Sequence, residues 1–338
     1  MAKKRVLKAS IRRNSKKTGL IVLVIVLTIL INSYIGAMII FKGPSPTFSN
    51  IVVSTMMETR RGKRLMKLFF NKKEIEEIIA QNTISSVTTV TDDIDDGFDI
   101  PENKKDKIDI IDIEGPTYNG KLMIVYDPSR IELGVNTLMD TQYAKGFYVE
   151  EFVASENAIA GINAGGFDDP GGKGDGSIPY GVVIKDGELI AGKLTDYYEI
   201  IGFNEHHRLV VGQMTGQQAL DYGLVDAVTF KPIFIVNYVP VEIVGTGGGL
   251  NPRTVIGQRE DGAVLLLVIN GRQANSLGAS YADCVNIMME YGAINAANLD
   301  GGSSSVMVYD GEIINSVVSM QGDRAVPTAW IVKWKKED

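Results

Sequence analysis

Between Leu20 and Phe41 the chain runs LIVLVIVLTILINSYIGAMIIF, 22 residues without a charge. At about 1.5 Å per residue, a helix of that length covers roughly the 30 Å of a bilayer's hydrocarbon core. Asn32, Ser33 and Gly36 dilute its last third, which a membrane span tolerates. Ahead of it, residues 1–17 hold eight basic side chains (Lys3, Lys4, Arg5, Lys8, Arg12, Arg13, Lys16 and Lys17) and no acidic one, whereas only Lys42 follows directly. That asymmetry predicts a single-pass anchor in a cytoplasmic membrane, with the N-terminus inside and the bulk of the chain outside. A cleaved signal peptide is the alternative, but its apolar core is usually about 7–15 residues and no clean small-x-small cleavage site stands out. The lone Cys284 cannot form an internal disulfide, which suits an extracytoplasmic bacterial protein better than a secreted eukaryotic domain.

Charge then limits the partners. The whole chain has 34 Lys and Arg against 41 Asp and Glu; without the eight basic residues of the tail, 26 stand against 41, a net of −15. Such a body is a poor partner for nucleic acid, and the apolar segment makes the lipid bilayer an expected partner. A hydrophobic content of 45% gives enough apolar material for a sizeable core.

Residues 1–19 read as a basic cytoplasmic tail, 20–41 as the anchor, 42–107 as a juxtamembrane helical region with an acidic linker, and 108–334 as the main domain. Thr55 with Glu58, and Asn71 with Glu74, have capping-box spacing, predicting helices near 56–70 and 72–80. The first is strongly basic, through Arg60, Arg61, Lys63, Arg64 and Lys67, and suits either anionic headgroups or a solvated face. Asp92, Asp93, Asp95, Asp96 and Asp99 lack the alternating spacing of an EF-hand and read as a solvated loop. Strands are expected at 108–115 and 121–128, a helix from about Leu138 to Phe152, and a strand leading into Asn163. Asp-Gly at 186–187, 261–262 and 310–311 lies between extended segments and predicts three hairpins. A further helix near 279–290 would bury Ala282, Val285, Met288 and Met289, with Cys284 a structural thiol. The resulting fold class is α+β, with mixed or antiparallel sheets and packed helices, preceded by one N-terminal transmembrane helix.

Four blocks concentrate glycine with polar residues: Asn163-Ala-Gly165-Gly166-Phe167 with Asp168 and Asp169; Gly245-Thr-Gly-Gly-Gly249 leading to Asn251-Pro252-Arg253; Asn270-Gly-Arg272; and Asn298-Leu-Asp300-Gly301-Gly302-Ser303-Ser304-Ser305. At strand ends they would place loop backbone and polar side chains in a cleft, although tight hairpins and caps use the same residues. Arg253 and Arg272 offer planar guanidinium forks to phosphate or carboxylate. Asp300 can serve as nucleophile, acid, base or metal ligand, and Ser303 and Ser304 as hydroxyl donors. Asp168 and Asp169 are candidate second carboxylates or cation ligands; a divalent cation stays open and no cofactor is specified. His206 and His207 are adjacent, with no spaced partner for zinc, and neither GxSxG nor GxxxxGK[ST] occurs.

These blocks, in this order, resemble the phosphodiester glycosidase family, which has bacterial members described as exopolysaccharide-related. The likeness rests on NAGGF at 163–167, NPRTVIGQ at 251–258, NGR at 270–272, NLDGGSSS at 298–305 and the closing RAVPTAWIV at 324–332, and it covers about 110–338. Residues 55–80 also resemble a juxtamembrane helix that precedes this domain in some bacterial members. The resemblance implies hydrolysis of a sugar-1-phosphodiester at the glycosidic bond in cell-envelope or exopolysaccharide material. It implies that Arg253 and Arg272 hold phosphate, that Asp300 stabilises or attacks the anomeric centre, and that Asn163, Asn298 and Ser304 orient sugar or phosphate oxygens. Asp168 and Asp169 depart from the usual residues after GGF, which implies different substrate contacts there. A noncatalytic phosphorylated-glycan-binding protein is the alternative.

Overall fold

Strand Val264–Ile269 is apolar at every position, and the alternation of a strand sends its residues to two separate cores. Val264, Leu266 and Val268 face a central cluster, while Leu265, Leu267 and Ile269 face a second one beneath a helix. A sheet covered on both faces needs no polar positions, which explains the unbroken run. The protein, seen in a computed structural model, is described for residues 2–92, 97–136, 145–169, 174–317 and 322–335.

The central cluster is shared by three sheets. The first has seven strands in the spatial order 239–240, 233–236, 293–299, 253–259, 264–269, 119–125, 108–114. A five-stranded sheet runs 312–313, 307–309, 158–163, 328–333, 131–135, and another runs 188–191, 183–185, 224–229, 197–204, 209–215. Among the described residues, every strand pairing is antiparallel, which narrows the expected mixed or antiparallel sheets. Trp330 is fully buried where the sheets meet, edge-on to Phe203 with ring centroids 5.3 Å apart.

Among the described residues, seven α-helices accompany the sheets: α1 (Ala2–Lys42), α2 (Pro46–Met57), α3 (Arg60–Phe69), α4 (Lys72–Ala80), α5 (Val149–Ser155), α6 (Gly216–Asp221) and α7 (Tyr281–Glu290). Each sheet has its own cover. α7 packs on the seven-stranded sheet, while α5 and α6 pack on the outer faces of the two five-stranded ones. Ser280 and Asp283 form the capping box that starts α7. Its buried face is Cys284, Val285, Ile287 and Met288, not the expected set: Met289 is 49% exposed, because one residue beyond Met288 lies about 100° further round the helix. α5 begins at Val149: of the helix expected from about Leu138, residues 138–144 lie outside the described residues and 145–148 are not helical, Phe147 pairing with Val326 instead.

At the N-terminus, residues 17–42 of α1 form a helix long and apolar enough to cross a membrane, and Leu20 to Leu27 are all exposed. Its end packs against α2, α3 and α4 through Phe41, Val53, Met66, Phe70 and Ile75. Asn71 and Glu74 form the expected capping box of α4. The other expected box is corrected: Thr55 lies inside α2, Glu58 caps its C-terminus, and Thr59 accepts the N-cap bond of α3 from Gly62. Thr55 and Glu58 instead turn toward the main domain. Residues 83–91 also lie along it, with Thr83–Ile84 paired to Ile243–Val244 and the Thr91 amide donating to the Val211 carbonyl.

The three Asp-Gly turns join adjacent antiparallel strands as expected. At Asp186-Gly187 and Asp310-Gly311 both residues have positive φ, the requirement of a type I′ turn. Truncation should separate the two methionines of α7. Met288→Ala should lower stability by about 2–5 kcal/mol and Met289→Ala by no more than about 0.5 kcal/mol, as measured by thermal or denaturant unfolding of the full chain.

Candidate active site

Antiparallel register brings three of the polar blocks to one end of the seven-stranded sheet. Thr254 is paired with Leu299 and Arg253 with Ile269, so Arg253 starts a strand beside two neighbours that are ending. Asp300 and the loop to Arg272 therefore emerge next to it. The fourth block comes from the five-stranded sheet at the end of Ala158–Asn163. Asn163 ties the two sheets: its Nδ2 donates to the Asp300 carbonyl at 2.6 Å, and its Oδ1 accepts from Thr254 Oγ1 at 2.9 Å and from the Val306 amide at 3.2 Å. The Asp300 amide returns to the Ala164 carbonyl.

Asn163 is fully buried, and all of these bonds are to the protein. Gly165 and Gly166 are packing positions: a Cβ would lie 2.9 Å from Val228 Cβ at the first and 2.8 Å from the Phe230 ring at the second. Gly301 and Gly302 bring the Asp300 loop against Pro252, whose carbonyl accepts from the Gly302 amide. Gly302 has φ +68, and a Cβ there would meet the Arg272 guanidinium at 3.3 Å. The Gly301 amide donates to Asp300 Oδ1 at 3.0 Å and the Ser304 amide to the Gly301 carbonyl. Ser303 is half-buried. Asn298 Nδ2 donates to the Lys231 carbonyl, while its Oδ1 is buried without a hydrogen-bond partner.

The carboxyl of Asp300 is the most perturbed acid of this region. Burial raises its pKa from the ordinary 3.8 to about 6; the Ser304 hydroxyl, Arg324 and the Gly301 amide oppose the rise, and Asp169 adds to it. The residue as a whole is half-buried, but Oδ2 is buried with no hydrogen bond in good geometry, and so is Ser304 Oγ. Of the two candidate carboxylates after GGF, Asp169 pairs with Arg324 at 3.0 Å, whereas Asp168 is exposed. Arg324 also lies over the Phe167 ring at 4.5 Å. Its only sequence signal was its place at the head of the closing RAVPTAWIV block.

Arg272 Nη2 donates to Asn251 Oδ1 at 3.0 Å, two residues before Arg253. Arg272 holds φ +58, a left-handed conformation that is uncommon for a residue with a side chain. Burial and the neighbouring Arg253 charge depress its pKa. Arg253 is buried; its Nε donates to the Ala279 carbonyl, and its guanidinium lies 4.0 Å from the Tyr281 ring centre. A carboxylate from the N-terminal region occupies the donors of this corner. Glu58 accepts from Arg253 Nη2 at 3.0 Å, from Asn251 Nδ2 at 2.6 Å and from the Gly249 amide at 2.6 Å, while Thr55 Oγ1 accepts from the Leu250 amide. The GTGGG run permits this approach: a Cβ at Gly249 would lie 2.3 Å from Thr55 backbone atoms. Asn251 and Glu58 were not singled out as site residues. Their signal was present in the glycine run and in the Thr55–Glu58 spacing, both of which admit a purely local explanation.

Cys284 lies beneath this corner, and burial pushes its thiol up to about 12, consistent with a structural thiol. Among the described residues, no group of three or more His, Cys, Asp or Glu is placed to hold a metal ion. The geometry combines a cationic, donor-rich corner with a protonatable acid one strand away.

A family model described as phosphodiester glycosidase matches residues 156–333, more than half of the chain. The fold is similar to the solved catalytic domain of zebrafish N-acetylglucosamine-1-phosphodiester alpha-N-acetylglucosaminidase, described as auto-inhibited by its pro-peptide. The TM-score is 0.57 at 18% identity, over 74% of this chain and 89% of that one. An 88-residue stretch is 35% identical to the SPbeta prophage-derived uncharacterized protein YomE of Bacillus subtilis (strain 168), spanning 26% of this chain and only 14% of that relative's length.

Because the Asp300 pKa is raised on folding, the native state loses stability as pH rises from the ordinary 3.8 to about 6, with no further change from this group above that range. Carboxyl-detected NMR should show Asp300 titrating near 6, and Asp300→Asn should be more stable relative to the parent above pH 6 than below pH 4. A midpoint near 4 would contradict the burial argument.

Proposed function

Since the chain belongs to the phosphodiester glycosidase family, we propose that it hydrolyses the glycosidic bond of a sugar-1-phosphodiester in cell-envelope or exopolysaccharide material. One observation carries this reading: Arg272, bonded to Asn251 and close to Gly302, and Arg253 stand within one strand of the buried Asp300 carboxyl. A phosphodiester needs fixed donors for its anion and a carboxylate for the positive charge that grows at the anomeric carbon. Arg253 and Arg272 take the phosphate, and ionised Asp300 stabilises or attacks the anomeric carbon. Water supplies the new hydroxyl, the C–O bond to phosphate breaks, and the phosphomonoester leaves. Phosphate is already a good leaving group, so the reaction asks little of a general acid.

Asn163 acts as a positioning residue beneath Asp300. Asn298 Oδ1, buried without a partner, and Ser304 Oγ, beside the Asp300 carboxyl, are the side-chain atoms available to orient sugar or phosphate oxygens. The residue division given by the sequence suits this reading, with 20–41 as the anchor and 108–334 as the catalytic domain. The exposed apolar side chains of α1 support a single-pass anchor, and the basic residues before it support an inward N-terminus with the site outside.

Glu58 supplies a means of control. Its carboxylate accepts from Arg253, one of the two arginines assigned to phosphate, and from the neighbouring Asn251 and Gly249 amides, so the α2–α3 turn and the substrate compete for that donor. The zebrafish protein is described as auto-inhibited by its pro-peptide, and the present contact suits an equivalent arrangement.

A panel of defined sugar-1-phosphodiesters, with product analysis and a chelator arm, tests the reaction; binding without turnover would favour a glycan-binding protein. For a substrate that is cleaved, kcat/KM should rise with pH through about 6 as Asp300 ionises, and Asp300→Asn should nearly abolish turnover without unfolding the chain. Glu58→Gln should raise kcat/KM by about tenfold, the scale of one hydrogen bond to a charged group. A fall instead would mean that Glu58 organises Arg253 rather than blocking it.

A further inference from the structure

Beside the arginine corner lies a cavity of about 510 Å³ that the reaction as described leaves without a role. Its walls are mainly apolar and include the rings of Tyr180, Phe230 and Tyr281, with Glu199 and Lys231 as the charged groups. Three contacts join it to the site. Tyr281 carries the Arg253 guanidinium on its ring face at 4.0 Å, the Lys231 carbonyl accepts from Asn298 Nδ2 at 2.9 Å, and Phe230 packs against Gly166.

Glu199 is the anomaly of this cavity. It sits in strand Tyr197–Asn204, and its Oε2 is buried with no hydrogen-bond partner. Burial raises its pKa, against the opposing effects of Lys231 and the Ile233 amide. A buried carboxyl oxygen without a donor is costly, and a ligand that brings hydroxyl donors removes that cost. Aromatic walls favour a ligand with apolar C–H faces, and a volume within about 300–1,000 Å³ is usual for a small-molecule pocket. A purely apolar ligand would leave Oε2 unsatisfied.

We propose that this cavity is a glycosyl subsite, in which Glu199 accepts hydrogen bonds from the hydroxyls of a neutral pyranose whose C–H face lies on Tyr180, Phe230 or Tyr281. The inference rests on the reading of the arginine corner as the phosphate site, since the two lie side by side. It makes Glu199 a specificity-determining residue, distinct from Asp300 at the bond that breaks.

The test is saturation-transfer NMR of the full chain in detergent with free glucose, galactose, mannose and their 2-acetamido forms. At least one pyranose should bind, and Glu199→Gln should weaken it by about tenfold, as expected for a lost hydrogen bond to a charged group. Tyr180 is half-exposed, so Tyr180→Ala gives a second variant less exposed to folding failure, and it should also weaken binding with an unchanged melting temperature. Absence of pyranose binding by the folded parent, or equal binding by parent and both variants, overturns the subsite. Glu199-dependent binding in a protein that cleaves no phosphodiester supports the subsite and overturns the hydrolytic reading instead.

Discussion

The buried amide of Asn163 is the contact on which the site's geometry depends. One side chain bonds the Asp300 carbonyl, the Thr254 hydroxyl and the Val306 amide, joining the last residue of a five-stranded-sheet strand to two strands of the seven-stranded sheet. In a region buried from solvent, such bonds admit few alternatives, since any displaced partner would be left unsatisfied. The spacing between the sheets, and with it the position of Asp300 relative to Arg253, follows from this junction.

The apolar core supports the same arrangement from below. Three sheets share a central cluster around Trp330, Leu266 and Ile162, and each has a helix on its outer face. Strands covered on both sides bury their backbones in paired ladders, leaving irregular polar loops at the sheet ends. The arginine corner, the Asp300 loop and the Glu199 cavity all lie at such ends. Their polar atoms are only partly satisfied: Asn298 Oδ1 and Glu199 Oε2 are buried without partners. A ligand that brings polar groups to these atoms would complete them.

Local chemistry was the most legible part of the sequence. Asp-Gly turns and the Asn71–Glu74 box depend on residues within four positions of each other, and these appear where expected. Thr55 and Glu58 have the same spacing yet do something else, because the glycines of 245–249 let α2 approach closely enough for both side chains to reach across. Capping spacing cannot reveal a competing partner some 190 residues away. Met289 failed for a related reason: an apolar residue at a helix edge carries no mark of which neighbour covers it, and α7 turns it outward. Glu199 had no sequence signal, since a lone carboxylate in a strand is ordinarily solvated.

By itself, the sequence determined the apolar helix, the antiparallel hairpins and the order of the polar blocks, because each depends on local periodicity, turn conformation or composition. It also placed the chain among the phosphodiester glycosidases, through short blocks whose residue identities survive without their distances. Only the tertiary structure decided that Asn163 is a strut, that Asp169 and not Asp168 pairs with Arg324, and that Glu58 lies on Arg253. Those outcomes depend on which sheet ends meet and on which carboxyls lose water in meeting, and burial of that kind belongs to the folded chain as a whole.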